Sequence, residues 1–128
     1  MAFGDVGGPI TMLVITCKTP DIGPVEISKG DAVKLTGGDY EVSNVTDAED
    51  IIFGQAMADA DETDIAVPVK VHGICIFDYD GDIVPKIDGV TGVVASGRDG
   101  SVKRPLIGNG IGRNLKVDTV RSQVHVLL

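Results

Sequence analysis

An all-β fold, a small β-barrel or sandwich of short strands with at most one short helix and an extended N-terminal arm, is what this sequence predicts. Three observations predict it. Apolar residues alternate at period two along much of the chain. No stretch longer than about a dozen residues keeps a helical period free of glycine or proline. The 17 glycines, several in Asp-Gly, Gly-Gly or Asn-Gly pairs, cut the 128 residues into short segments. A chain of 13.3 kDa buries about two-thirds of its unfolded surface, enough for one core, and no repeat or linker divides it. The expected organisation is an arm over residues 1–9 and a single β domain over 10–128.

Residues 1–9 hold Gly4, Gly7, Gly8 and Pro9, with Phe3 and Val6 the only bulky apolar side chains after Met1. Such a segment lacks core contacts of its own. From Ile10 to Cys17 the chain is apolar at odd and even positions alike, as in a strand covered on both faces or packed at a subunit interface. Val33 and Leu35, the turn Thr36-Gly37-Gly38-Asp39, then Tyr40 and Val42 form a hairpin signature. Asp47 to Ala60 has room for the one short helix, although Gly54 and the β-branched pair Ile51-Ile52 oppose it. Ile65, Val67, Val69 and Val71 alternate with Ala66, Lys70 and His72. Pro68 has no N–H to give to a ladder, which predicts that this strand lies at an edge or bulges there. Turns at Asp80-Gly81-Asp82, Asp88-Gly89, Gly97-Arg98-Asp99-Gly100 and Gly108-Asn109-Gly110 divide the second half into short strands. Leu115 and Val117, then Val124, Val126 and Leu128, end the chain on apolar alternation, so trimming those last residues should destabilise the fold.

Charge is unevenly placed. Between Lys34 and Lys70 there are nine acids, Asp39, Glu41, Asp47, Glu49, Asp50, Asp59, Asp61, Glu62 and Asp64, and no Lys or Arg. From Gly97 onward six cations, Arg98, Lys103, Arg104, Arg113, Lys116 and Arg121, face two acids, Asp99 and Asp118. If the two regions occupy different edges, a head-to-tail contact between copies pairs them. The candidate contact residues are Met12 and Val14 from the apolar stretch, Arg113 and Lys116, and Asp61 and Glu62. A net charge of -8 disfavours binding to a nucleic-acid backbone. The N-terminus lacks the basic and apolar regions of a signal peptide, and no apolar run approaches the roughly 18 residues of a membrane span. No membrane partner is expected, and the product is expected to stay where it is made.

Catalytic and metal-binding patterns fail on inspection. Asp78-Tyr79-Asp80-Gly81-Asp82 begins like a calcium loop, but Ile83 and Gly89 stand where the loop needs glycine and a bidentate glutamate. Gly108-Asn109-Gly110-Ile111-Gly112 lacks the flanking strand and helix and the Lys-Ser/Thr of a phosphate loop, and reads as a turn needing positive φ. His72 and His125 lie on alternating strands and read as surface or subunit-contact residues. Cys17 and Cys75 read as buried thiols, and strand geometry sends His72 and Cys75 to opposite faces, away from a shared zinc. Acid pairs such as Asp59 and Asp61 do not stand out among so many carboxylates. No catalytic residue, metal or cofactor is expected.

The run Lys29-Gly30-Asp31-Ala32-Val33-Lys34-Leu35, then Phe53-Gly54-Gln55-Ala56 with Asp59-Ala60, then Ile65-Ala66-Val67-Pro68-Val69-Lys70-Val71-His72-Gly73, resembles the tailed-bacteriophage head-decoration, or capsid cement, family. The resemblance covers residues 25–77 and rests on short, glycine-dependent motifs of a structural kind. Where that family usually has glycine before the valine-alternating strand, this chain has Asp61-Glu62-Thr63-Asp64. The resemblance implies a β-rich subunit, often a homotrimer, that sits on the outer surface of a virion head and bridges copies of the major capsid protein without cofactor or turnover. Phe3, Val6 and Pro9 of the arm are then the expected capsid contacts. Two other readings compete: a trimeric all-β phosphate-ester hydrolase with an acidic metal site between subunits, and a small β-barrel adaptor module.

Overall fold

A computed structural model describes residues 12–81 and 83–128. The arm over 1–9, with Phe3, Val6 and Pro9, and Asp82 of the acidic turn lie outside the described residues. The protein is all-β, and no helix occurs among the described residues. In chain order the strands are β1 (Leu13–Lys18), β2 (Ala32–Leu35), β3 (Val42–Ser43), β4 (Gly54–Ala56), β5 (Ala66–His72), β6 (Ile74–Asp78), β7 (Val94–Ala95), β8 (Val102–Lys103), β9 (Arg113–Asp118) and β10 (Gln123–Leu127).

Five strands form one curled sheet in the order β1-β5-β4-β2-β3, with antiparallel neighbours. Lys18 makes a parallel bridge to Glu41, and the Lys18 N–H donates to the Tyr40 carbonyl at 2.9 Å. That contact draws the first strand toward the last and makes the sheet a half-barrel. Cys17, Val33, Val42, Ala56, Val67 and Val69 fill its interior. A second sheet, β6-β10-β9, and the pair β7-β8 supply the other core, around Phe77, Val93, Val102, Val124 and Val126. The two cores stand back to back across β2: Ala32 and Ile52 belong to the second core, Val33 and Phe53 to the first. Strand periodicity is the cause, because successive side chains leave on opposite faces.

The alternating strand at 65–72 forms as β5, with Val67 and Val69 fully buried and Ala66 and His72 exposed. Its position differs from expectation. It lies inside the sheet between β1 and β4, and its register shift falls between Leu13 and Val14 of β1, opposite its far end. Pro68 is tolerated because β4 is ending there: the Met57 N–H donates to the Pro68 carbonyl at 2.9 Å, and Pro68 returns no bond. The hairpin is also present, pairing Leu35 with Val42, while Tyr40 stays in the turn with φ 55° and is 70% exposed.

No helix forms between Asp47 and Ala60. Main-chain bonds there run outward to other strands: Glu49 N–H to Ala95 carbonyl at 3.0 Å, Ala95 N–H to Asp50 carbonyl at 3.0 Å and Phe53 N–H to Val33 carbonyl at 2.8 Å. Ile51 is exposed and Ile52 buried, the alternation of an extended chain. The apolar stretch before Cys17 is likewise not covered on both faces within the chain. Its described part is an edge strand on which Met12 and Leu13 are each 52% exposed and only Ile15 and Cys17 turn toward the core.

Candidate interaction surface

The residues that carry the family resemblance converge on the junction between the two sheets. Gly30 takes φ 97° in a turn closed by the Asp31 N–H on the Ser28 carbonyl at 3.0 Å. The Asp31 carboxylate accepts the Ser28 N–H at 2.9 Å and the Asn44 side-chain amide at 2.8 Å. Gln55, 8% exposed, donates to the Gly30 carbonyl at 3.1 Å and to the Ile76 carbonyl of β6 at 2.7 Å. Lys70 donates to the Ile74 carbonyl at 2.6 Å. These bonds satisfy the outer edge of β6 and tie the second sheet to the half-barrel. Asp59 accepts the Lys29 N–H at 2.7 Å and so holds the turn that carries Gly30. Gly54 has a different reason. A Cβ there stands 2.5 Å from the Lys70 carbonyl oxygen and 2.7 Å from a Val69 methyl, so β4 packs at this distance only without a side chain. Asp64 takes φ 52°, the left-handed conformation that a glycine before the valine strand adopts without strain.

Charged and apolar side chains lie exposed at both ends of β5. Asp61 and Glu62 lie exposed in the loop that enters β5, held by the Thr19 hydroxyl on the Glu62 carbonyl at 2.7 Å. At the other end of β5, His72 pairs with Leu13 and borders an open hollow of about 550 Å³ with Val90, Arg113 and Leu127. Met12 lies beside Gly73 at this same end. The structure therefore brings Met12 and Arg113 to one end and sets Asp61 and Glu62 at the opposite end of a seven-residue strand. Val14, 38% exposed, follows on β1, and Lys116 is exposed further along β9, opposite His125. Part of the acidic run is neutralised inside the subunit, where Asp50 meets Lys34 at 2.7 Å and Glu49 meets Lys103 at 2.8 Å.

Strand β1 also offers main-chain groups. Thr19 donates toward β5, to the Ile65 carbonyl, and Lys18 donates the other way, to Tyr40. By the alternation of an antiparallel ladder, Val14 and Thr16 point their N–H and C=O groups at the open edge. Ile15, Leu35, Tyr40 and Phe53 line the apolar mouth beside that edge. Sequence reasoning named Met12 and Val14 but missed Leu35, Tyr40 and Phe53, because each sits in a pattern that ordinarily means core.

Asp78 accepts from the Gln123 amide at 3.4 Å, Asp80 stands 3.8 Å from Arg98, and Tyr79 between them is buried. Gly108 and Gly112 take φ 70° and 77°, as expected of their loop. Cys17 and Cys75 are buried free thiols, each pushed up in pKa by burial. His72 is exposed, and His125 is half-buried on β10. Among the described residues no three His, Cys, Asp or Glu side chains are grouped as metal ligands, and no helix is long and apolar enough to cross a membrane. Compared with models of known protein families and with curated proteins, the chain matches none.

Proposed function

We propose that this chain is a structural virion protein that binds the outer surface of an assembled phage head and stabilises the expanded shell. The observation that carries the reading is the junction just described. Among the residues through which the chain resembles head-decoration proteins, Gln55 and Lys70 tie the second sheet to the half-barrel, Asp31 and Asp59 hold the turn at Gly30, and Gly54 lets β4 pack against β5. Their use is architectural, as those motifs require. The uncovered apolar residues and the separated charges are what such a subunit presents to partners.

The mechanism is mass action. A ligand that binds the expanded shell and not its separated subunits stabilises the shell by RT ln(1 + [L]/Kd). Three subunits joined as a homotrimer multiply that effect, because once one is docked the others meet their sites at high effective concentration. The arm over residues 1–9, with Phe3, Val6 and Pro9, orders on the major capsid protein, adding a strand to an exposed edge there. The protein works by adhesion, needs no cofactor, and resides on the outer capsid surface after synthesis in the host cytoplasm.

Co-sedimentation with expanded heads lacking the protein tests this. The full chain should pellet with the heads and raise their thermal disruption temperature. Removal of residues 1–9 should abolish pelleting while the subunit keeps its β-type circular dichroism. A full chain that stays in the supernatant at saturating concentration defeats the proposal.

A further inference from the structure

The Gly108-Asn109-Gly110 loop, which head binding leaves unused, contains a reactive pair. Of the three asparagines, Asn44, Asn109 and Asn114, only Asn109 is followed by glycine. In an unfolded chain such a pair modifies itself. The glycine nitrogen attacks the asparagine Cγ, and Nδ2 leaves as ammonia, carrying away the proton that the glycine N–H gives up. The cyclic imide that remains then takes up one water. Opening at Cγ yields aspartate, and opening at the main-chain carbonyl yields isoaspartate, whose main chain runs through Cγ. Glycine favours the attack because no Cβ crowds the approach.

The fold bars that step at the attacking group. Asn109 is exposed, so its side chain is not what is held. The Gly110 N–H donates to the Thr91 carbonyl at 2.7 Å. Two further bonds pin the same corner, Ile111 N–H to Val93 carbonyl at 2.9 Å and Val93 N–H to Ile111 carbonyl at 3.1 Å. Both chains are glycine where they meet: a Cβ on Gly110 would fall on the Val93 carbonyl group, and one on Gly92 would fall on the Ile111 carbonyl oxygen. The Gly92 carbonyl is in turn held by the Asn114 side-chain amide at 3.1 Å, and Val93 and Asn114 are buried. For its nitrogen to reach Asn109 Cγ, Gly110 must leave Thr91 and rotate, and the close approach of the two chains opposes that rotation.

We propose that Asn109 is a latent self-modification site, shut in the folded chain by the bond from Gly110 to Thr91 and opened only when the corner at Gly92 and Ile111 separates. Local opening has its own equilibrium, so the folded chain modifies at the unfolded-chain rate multiplied by the open fraction. The same close packing makes the event one-way. Isoaspartate adds one carbon to the main chain, about 1.5 Å, next to a glycine that has no room even for a Cβ. A chain so modified cannot close the corner again, and a passing opening becomes a permanent one. This inference is independent of the head-binding reading.

The test incubates the full-length protein, folded in buffer or unfolded in denaturant, at one temperature and one mildly alkaline pH. Peptide mapping by mass spectrometry follows the asparagine, aspartate and isoaspartate forms of residue 109. The unfolded chain should convert to both products, and the folded chain should convert at least about tenfold more slowly. Hydrogen exchange on the folded parent should protect the Gly110 amide by a similar factor. After denaturant is removed, Asn109→Asp should regain the parent thermal midpoint and purified isoaspartyl chains should not. Equal rates in the folded and unfolded protein, an unfolded chain that keeps Asn109, or a Gly110 amide that exchanges freely would each overturn the shut site. Isoaspartyl chains that recover the parent midpoint, or an Asn109→Asp variant that loses it equally, would overturn the role of the added carbon.

Discussion

Asp88 shows how a single exposed side chain is tuned by its own turn. Its carboxylate accepts the Thr91 hydroxyl, the Thr91 N–H at 2.8 Å and the Val90 N–H at 3.0 Å, and these bonds lower its pKa from 3.8 to about 2. Bonds to the charged form favour that form. The folded pKa is the depressed one, so this contribution to stability is present above the unfolded value near 3.8 and is lost as pH falls through about 2. Glu49, bonded by Lys103 and the Leu106 N–H, and Asp50, bonded by Lys34 and the Asp47 N–H, are lowered in the same sense. The thermal midpoint should therefore hold steady above about pH 5 and fall below it. Thr91→Val should move the Asp88 midpoint in an NMR titration part of the way back toward 3.8, since the main-chain donors remain. An unmoved midpoint would show that the hydroxyl contributes nothing.

Among the elements, β4 has no room for a side chain at Gly54. Its three residues are all buried, and it carries the chain between β2 and β5 where a side chain at Gly54 meets the Lys70 carbonyl oxygen. Gly54→Ala should cost about 1–3 kcal/mol in denaturant unfolding, because two strands must separate to admit a methyl group. A loss under about 0.5 kcal/mol, the size of an ordinary surface change, would mean that the strands yield freely there. Strand β10 shows a related dependence on position. It pairs on one side with β6 and on the other with β9, and Val124 and Val126 fill the second core. The alternation that ends the sequence thus belongs to a central strand.

For the molecule as a whole, charge is separated along the half-barrel, with Asp61 and Glu62 before β5 and Arg113 beyond its other end. Contacts between copies that pair these ends should weaken with added salt, since exposed charges are screened within about 10 Å at 0.1 M. Arg113→Glu with Lys116→Glu should lower the self-association constant measured by light scattering, and adding Asp61→Lys with Glu62→Lys to the same chain should restore it. Failure of the second pair to restore association would place the contact elsewhere. Met12 and Leu13, each 52% exposed, adjoin Arg113 and would lie inside any contact formed at that end.

Much of this was legible from residue order because it is local. Alternation at Ile65–Val71, the Gly37-Gly38 hairpin and the all-β class follow from strand periodicity and turn chemistry, which act over a few neighbouring residues. The uneven charge was also readable, since it needs only counting. Which strand sits inside the sheet was not. Pro68 pointed to an edge, yet β4 ends beside it, and where a partner strand stops depends on residues a dozen positions away. The helix allowed at Asp47–Ala60 gave way for the same reason: bonds from Glu49 and Phe53 to Ala95 and Val33 exist only once those strands have assembled. Residue order determined which segments extend and where they turn, because φ and ψ preferences are local. Tertiary structure alone decided which faces of β1 and β2 are covered, because burial depends on what the rest of the chain brings to each side.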